Sequence, residues 1–309
     1  MIAYPDGIYA VDAEYVRPKL AAVHVMVHAG RAAIVDSGTS HSVPQVLAAL
    51  DTLGVAREAV DWLWLTHVHL DHAGGAGQLM QALPNARAVL HPRGAPHMIA
   101  PAKLVEASIA VYGAENFANL YGEILPIDAA RVQVTRDGEF IELAGRRIEI
   151  LHTPGHALHH QAFVDHGGVE GPNVFTGDTF GLCYTEFTRE GRALAMPTTS
   201  PTQFDPEQLV ASIRRVVSIA PQAAYLTHYG RVTDIPRLGA NLERLVRRFA
   251  EIAIEHRTRE AIRTALSECM CAEVAAHGCD LTRAQIEAVL INDLDLNADG
   301  LLAWLARRQ

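Results

Sequence analysis

The sequence predicts an α+β fold in which two similar β-rich halves pack face to face with helices outside, followed by a helical appendage. Three observations point there. Each half runs through short strands, then a helix, then a buried strand that exits into Thr-His: Thr66-His67 in the first half, Thr227-His228 in the second. Beyond about Ile235 the strand-like segments stop and long helical patterns take over. Composition is that of an ordinary folded protein, with 49% apolar and 20% charged residues in 309, which excludes wholesale disorder.

In the first half, strand patterns cover Ile8 to Val11, Ala21 to His28 and Ala32 to Val35, the last running into Asp36-Ser37-Gly38. Val43, Val46, Leu47 and Leu50 recur at helical spacing and predict a helix over about Val43 to Leu53. Ala59 to Leu65 is a buried strand that stops abruptly at Thr66-His67. A helix near Gln78 to Leu83 and a strand from Ala86 to Leu90 follow. Residues 94–126 read as irregular helix. They carry more apolar surface than a connector needs, so they either cap a pocket or pack into the core.

The second half repeats the order. Strands at Val132 to Val134, Phe140 to Leu143, Arg147 to Leu151, Gln161 to Val164 and Val174 to Phe175 precede a helix at about Pro206 to Ile219. The strand Ala223 to Leu226 then exits into Thr227-His228. Leu242 to Thr264 and Thr282 to Arg308 read as two long helices, dividing the chain into 1–234 and 235–309.

Charge and composition narrow the function. With 26 basic against 35 acidic side chains the net charge is −9, and no basic block exists to meet nucleic acid or anionic lipid. No apolar run approaches the ~18 residues of a membrane span. The start, Met1 to Asp6, lacks the basic and apolar regions of a signal peptide. A cytoplasmic enzyme acting on a small molecule is expected. Cys183, Cys269, Cys271 and Cys279 do not form a disulfide-framework pattern. Residues two apart on a helix diverge, so Cys269-x-Cys271 reads as small half-buried side chains rather than metal ligands.

Sixteen histidines is about twice ordinary usage. The densest run is Thr66-His67-Val68-His69-Leu70-Asp71-His72, at a strand exit where ligands and catalysts collect. Three imidazoles and a carboxylate cannot lie there unpaired, and both suit divalent ions. His67 and His69 share one face of an extended segment and can clamp one ion; Asp71 and His72 follow a turn and reach towards a second. Three later strand exits echo the run: His152-Thr153-Pro154-Gly155-His156, Thr176-Gly177-Asp178-Thr179 and Thr227-His228-Tyr229-Gly230.

These motifs, in this order over about residues 7–230, resemble those of the metallo-β-lactamase-fold hydrolase superfamily. The resemblance implies a four-layer αββα sandwich with two divalent metal ions at one edge, zinc first, iron or manganese as alternatives. It assigns His67, His69 and His156 to one ion and Asp71, His72 and His228 to the other, with Asp178 bridging. Asp36 would orient a ligand histidine, and His160 would be structural. The Asp178-Thr179-Phe180-Gly181 run, the Pro197 to Asp205 segment and the helical tail resemble a subset near the PqsE-like thioesterases and quorum-quenching lactonases.

Departures sharpen the reading. Class B β-lactamases lack an aspartate at the bridging position. Lactonases usually carry a tyrosine where Gly181 stands, the nearest here being Tyr184, and flavodiiron relatives put glutamate at the His69 position. The implied reaction is attack on a small ester, thioester or lactone by a metal-bridging hydroxide, with Asp71 accepting its hydrogen bond or passing a proton to the leaving group. Tyr112, Tyr121, Tyr184 and Tyr229 are candidates to steady the oxyanion. A low-turnover binding or regulatory protein and a di-iron redox protein are the alternatives on this scaffold. The tail caps the substrate pocket or builds a homodimer; the sequence leaves both open.

Overall fold

The computed structural model describes residues 1–199 and 203–308, so Ser200, Pro201 and Thr202 of the 197–205 segment lie outside the described residues. Among the described residues thirteen strands form two sheets. The first holds β1 (Ile2–Ala3), β2 (Ile8–Asp12), β3 (Ala22–His28), β4 (Arg31–Val35), β5 (Val60–Trp64), β6 (Arg87–Leu90) and β7 (Val132–Val134), in that spatial order. It is antiparallel from β1 to β4 and parallel from β4 to β7. The second holds β8 (Phe140–Leu143), β9 (Arg146–His152), β10 (Gln161–Asp165), β11 (Asn173–Phe175), β12 (Ala223–Leu226) and β13 (Gly230–Val232), antiparallel throughout except for the β11–β12 pair.

Alternate residues of each strand face inward, and the two inner faces supply one apolar layer. Ile8, Met26, Val35, Trp64 and Val89 come from the first sheet; Ile148, Ile150, Phe163, Phe175 and Tyr225 come from the second. Trp64 stacks on Phe163 with ring centroids 5.4 Å apart. His24 is buried here against the Phe175 and Tyr225 rings, and burial alone brings its imidazole down to about 3, so it is a neutral member of the core. His28, at the half-buried end of the same strand, pairs in register with Arg31.

Helices cover the outer faces: α1 (Val43–Thr52), the single turn α2 (Leu70–Ala73), α3 (Ala76–Ala82), α4 (Ala95–Ile99), α5 (Ala102–Tyr112), α6 (Ala114–Tyr121) and α7 (Pro206–Ser218). Two expectations need correction. Val132–Val134 does not open the second half; as β7 it closes the first sheet, pairing parallel with β6, because the 94–126 helices carry the chain across from β6 to that edge. The described residues of the tail form four helices rather than two: α8 (Ile235–His256), α9 (Arg259–Ala276), α10 (Arg283–Val289) and α11 (Ile291–Arg307). A left-handed Arg257 stops α8, and the Thr258 side chain then caps α9, a break that apolar spacing alone does not reveal.

Phe249, Ile252, Leu301 and Trp304 of the tail belong to the same buried cluster as Leu209, Ile213 and Val216 of α7. Cys269, Cys271 and Cys279 pack half-buried against that cluster. Among the described residues no helix is long and apolar enough to cross a membrane.

Candidate metal centre

Strand direction explains why distant motifs meet. β4 and β5 run parallel in one sheet, β11 and β12 in the other, and β9 points the same way as β11 through two antiparallel steps. Their exits therefore share one edge of the sandwich. Asp36 follows β4, the 66–72 run follows β5, His156 follows β9, Asp178 follows β11 and His228 follows β12.

The side chains form two trios. His69 Nδ1 lies 2.9 Å from His67 Nε2 and 3.0 Å from His156 Nε2. In the second trio, Asp71 Oδ2 lies 3.4 Å from His228 Nε2 and 3.7 Å from His72 Nε2. Asp178 stands between them with one oxygen turned to each. Its Oδ2 is 3.3 Å from His156 Nε2 and 4.0 Å from His67 Nε2; its Oδ1 is 3.2 Å from His72 Nε2 and 3.7 Å from His228 Nε2. All seven residues lie within the groupings able to hold a metal ion.

The opposite ring nitrogens are anchored. His72 Nδ1 donates to Asp36 Oδ2 at 2.8 Å, His228 Nδ1 to the Leu20 carbonyl at 2.8 Å, and His156 Nδ1 to the Thr198 carbonyl at 3.2 Å. His67 Nδ1 donates to Thr66 Oγ1 at 3.1 Å, whose own hydroxyl donates to Asp36. With the proton on Nδ1, each Nε2 presents a lone pair to the centre. His160 plays another part. Its Nε2 accepts from the Asp178 backbone N–H at 3.1 Å while Nδ1 contacts the Thr153 and Thr179 hydroxyls, so it braces two of the loops, in keeping with a structural role.

Burial and charge set the protonation. Burial, and then the neighbouring imidazoles, hold His67 and His69 well below the usual histidine range; burial also lowers His156. Burial works against protonation of His72 and His228 as well, but Asp178 and Asp71 outweigh it and raise both. In turn the surrounding imidazoles overcome burial and hold Asp71 and Asp178 below the carboxylate range. His72 Nε2 and Asp178 Oδ1 are buried yet oriented for no hydrogen bond, an arrangement costly unless an ion lies between them. Zinc–nitrogen bonds of about 2.0–2.1 Å put tetrahedral neighbours about 3.4 Å apart. The observed nitrogen spacings approach that value, and imidazole with carboxylate is the right donor chemistry for divalent ions.

One backbone position supports this geometry. Gly155, before His156, has φ +130°, and a Cβ there would sit 2.2 Å from the Leu209 backbone nitrogen of α7. Gly155→Ala must push α7 away or swing His156 out of the first trio. A loss of about 2–3 kcal/mol in stability together with reduced metal retention is expected, read by thermal unfolding and elemental analysis.

The four candidate tyrosines separate. The Tyr184 hydroxyl donates to Asp293 Oδ1 at 3.1 Å, and that of Tyr121 meets Tyr15 at 3.3 Å. Tyr112 packs edge-on against Tyr121. Tyr229 clusters with Ala10, Ala22 and Tyr4 and opens onto a cavity lined by Cys183, Arg231 and Arg237, away from the trios. Tyr15 and Asp293, the hydrogen-bond partners of Tyr121 and Tyr184, carry no spacing signal in the sequence: one lies in an irregular loop, the other on a helix 115 residues beyond Asp178.

The family model for the metallo-beta-lactamase superfamily matches residues 16–228. The chain belongs to that superfamily. Within it, a metallo-beta-lactamase fold-containing protein of Sulfurisphaera tokodaii is 28% identical over 233 residues, covering 74% of this chain and 80% of the relative. A hydroxyacylglutathione hydrolase of Salmonella typhi is 24% identical over 212 residues, 65% of this chain and 67% of that one. A metallo-beta-lactamase family protein of Thermus thermophilus superposes with a TM-score of 0.65 at 21% identity, covering 98% of this chain and 94% of the neighbour, a likeness of fold that extends through the tail. The metallo-beta-lactamase fold and its His/Asp cluster of metal-binding type are thus both present in this chain.

Proposed function

We propose that this superfamily member is a metal-dependent hydrolase of a small thioester, ester or lactone. In this reading His67, His69 and His156 hold one divalent ion, Asp71, His72 and His228 a second, zinc first in each case, and Asp178 bridges them. The observation that carries the reading is Asp178 itself, with one carboxylate oxygen turned to each trio. The similarity to hydroxyacylglutathione hydrolases adds support for the thioester among the substrate classes.

Ions bound there supply a water acidified towards neutrality and a Lewis acid for the substrate carbonyl. The chain's own groups do the rest. Neutral His67, His69 and His156 offer lone pairs rather than protons. Asp71, whose side chain is 22% exposed, is the carboxylate that solvent reaches, so it is placed to take a proton from the attacking water and return it to the leaving group. We place the protein in the cytoplasm, acting on a small molecule without nucleic-acid or membrane partners, in line with its net charge of −9.

The test is metal analysis of purified protein with a panel of nitrophenyl esters, thioesters and lactones. Turnover is expected to fall about 10³-fold on chelation and to return with added metal. Bound metal without turnover of any panel member overturns the hydrolase in favour of a binding protein, and iron with an oxygen-linked absorption change overturns it in favour of a redox protein.

A further inference from the structure

The first trio depends on one peptide group. His156 reaches the centre through Nε2, 3.0 Å from His69 Nδ1 and 3.3 Å from Asp178 Oδ2, while its Nδ1 donates to the Thr198 carbonyl at 3.2 Å. That carbonyl shares a planar trans peptide with the N–H of Thr199, and the two point in opposite directions. Whatever holds the Thr199 N–H therefore aims the carbonyl at His156.

What holds it belongs to the tail. The Thr199 N–H donates to Asn297 Oδ1 of α11 at 2.7 Å, and the Thr199 hydroxyl donates to the Asn297 carbonyl at 3.0 Å. Thr199 and Asn297 are both buried, so water offers these groups no substitute partner. Nearly one turn further along, Gly300 backs onto the same residue: a Cβ there would stand 2.6 Å from Thr199 O and 2.6 Å from Thr199 Oγ1. Helix α8 fixes the approach. Asn241 Nδ2 donates to the Ala195 carbonyl at 3.0 Å, and Arg237 Nη2 to the Ala193 carbonyl at 3.2 Å. Residues 193–199 are tied to two tail helices and in turn tie down a ligand histidine.

The link is directional. A peptide N–H bonded to a good acceptor is polarised, and its carbonyl accepts more strongly for it. Because the Thr198 oxygen can only accept, it keeps the His156 proton on Nδ1 and leaves the Nε2 lone pair facing the centre. We infer that Asn297 is a positioning residue for the metal centre: through the Thr198–Thr199 peptide it fixes the tautomer and orientation of His156, so that the tail governs the metal affinity of the first trio. The inference rests on the metal-centre part of the proposed function.

Chelator competition for zinc tests it in two backgrounds: Asp71→Ala, which keeps the first trio, and His69→Ala, which keeps the second. Asn297→Leu removes the acceptor at similar volume. It is expected to weaken zinc binding about tenfold in the Asp71→Ala background and to leave binding in the His69→Ala background unchanged. Asn297→Asp keeps an Oδ acceptor and should restore the affinity. Gly300→Ala displaces Thr199 without removing the acceptor; it should repeat the selective loss, and it replaces Asn297→Leu if thermal unfolding shows that variant unfolded. Nitrogen-15 NMR of the metal-free protein reads the link without any ion. The natural sequence should hold the His156 proton on Nδ1, and Asn297→Leu should give a mixture of tautomers. Equal weakening in both backgrounds, weakening in neither, or an unaltered His156 tautomer overturns the positioning role alone. Failure of the unsubstituted protein to bind zinc overturns the metal reading, and the tautomer comparison then still decides the link from Asn297 to His156.

Discussion

On the proposed reading of two ions serving a hydrolase, Asp178→Ala is expected to lose the second ion, and with it about 10³-fold or more of kcat/KM. The size follows from position. Each of the six side chains of the two trios belongs to one trio, whereas Asp178, between them, turns Oδ2 to His156 and His67 and Oδ1 to His72 and His228. Two divalent ions a few ångströms apart repel strongly where water is excluded, and a carboxylate between them is the group that offsets this repulsion. Without it, two sets of three donors remain, each without its shared anion. Asp71→Ala is the informative comparison: it removes a donor from the second trio only, so about one ion per chain should remain. Elemental analysis beside steady-state rates distinguishes the two variants. Retention of both ions and the full rate by Asp178→Ala would remove the basis for a bridged centre.

The parts of this arrangement that local pattern encodes are the parts the sequence made legible. β8 and β12 fall on Phe140–Leu143 and Ala223–Leu226, as their apolar runs predict, and β5 stops one residue short of Leu65. A buried strand that breaks off into Thr-His announces itself, because imidazole and carboxylate do not continue a core. That is why the six side chains of the two trios, and Asp178 between them, stand out in the sequence. What local pattern cannot encode is where a segment docks. Val132–Val134 reads as a strand in either sheet, and only the crossover by α4, α5 and α6 assigns it to the first. Leu242–Thr264 keeps an apolar stripe across the α8–α9 break, so the cap at Thr258 is invisible to periodicity. Asp293 looks like any acid in the first turn of a helix until α11 packs and brings it to Tyr184.

Asp36 joins three of the loops that converge on the centre, and its replacement separates orientation from ligation. Its Oδ1 accepts from the Thr66 backbone N–H at 2.8 Å, and its Oδ2 accepts from His72 Nδ1 at 2.8 Å and the Thr227 hydroxyl at 3.0 Å. The residue is 1% exposed and has φ +59°, a left-handed conformation that asparagine also tolerates. Asp36→Asn therefore preserves shape and backbone while placing an amide N–H₂ where two donors already point. His72 can relieve the conflict only by moving its proton from Nδ1 to Nε2, which cancels the lone pair it presents to the second trio. Metal affinity of that trio should fall about 10–100-fold, measured by chelator competition, while the first trio keeps its ion. Stability should fall by about 2–3 kcal/mol, since buried donors lose a charged acceptor. Asp36→Ala leaves His72, Thr66 and Thr227 without that acceptor and should cost more, about 3–5 kcal/mol. Equal weakening of both trios in Asp36→Asn would show that Asp36 holds the loops as a whole rather than the tautomer of one histidine.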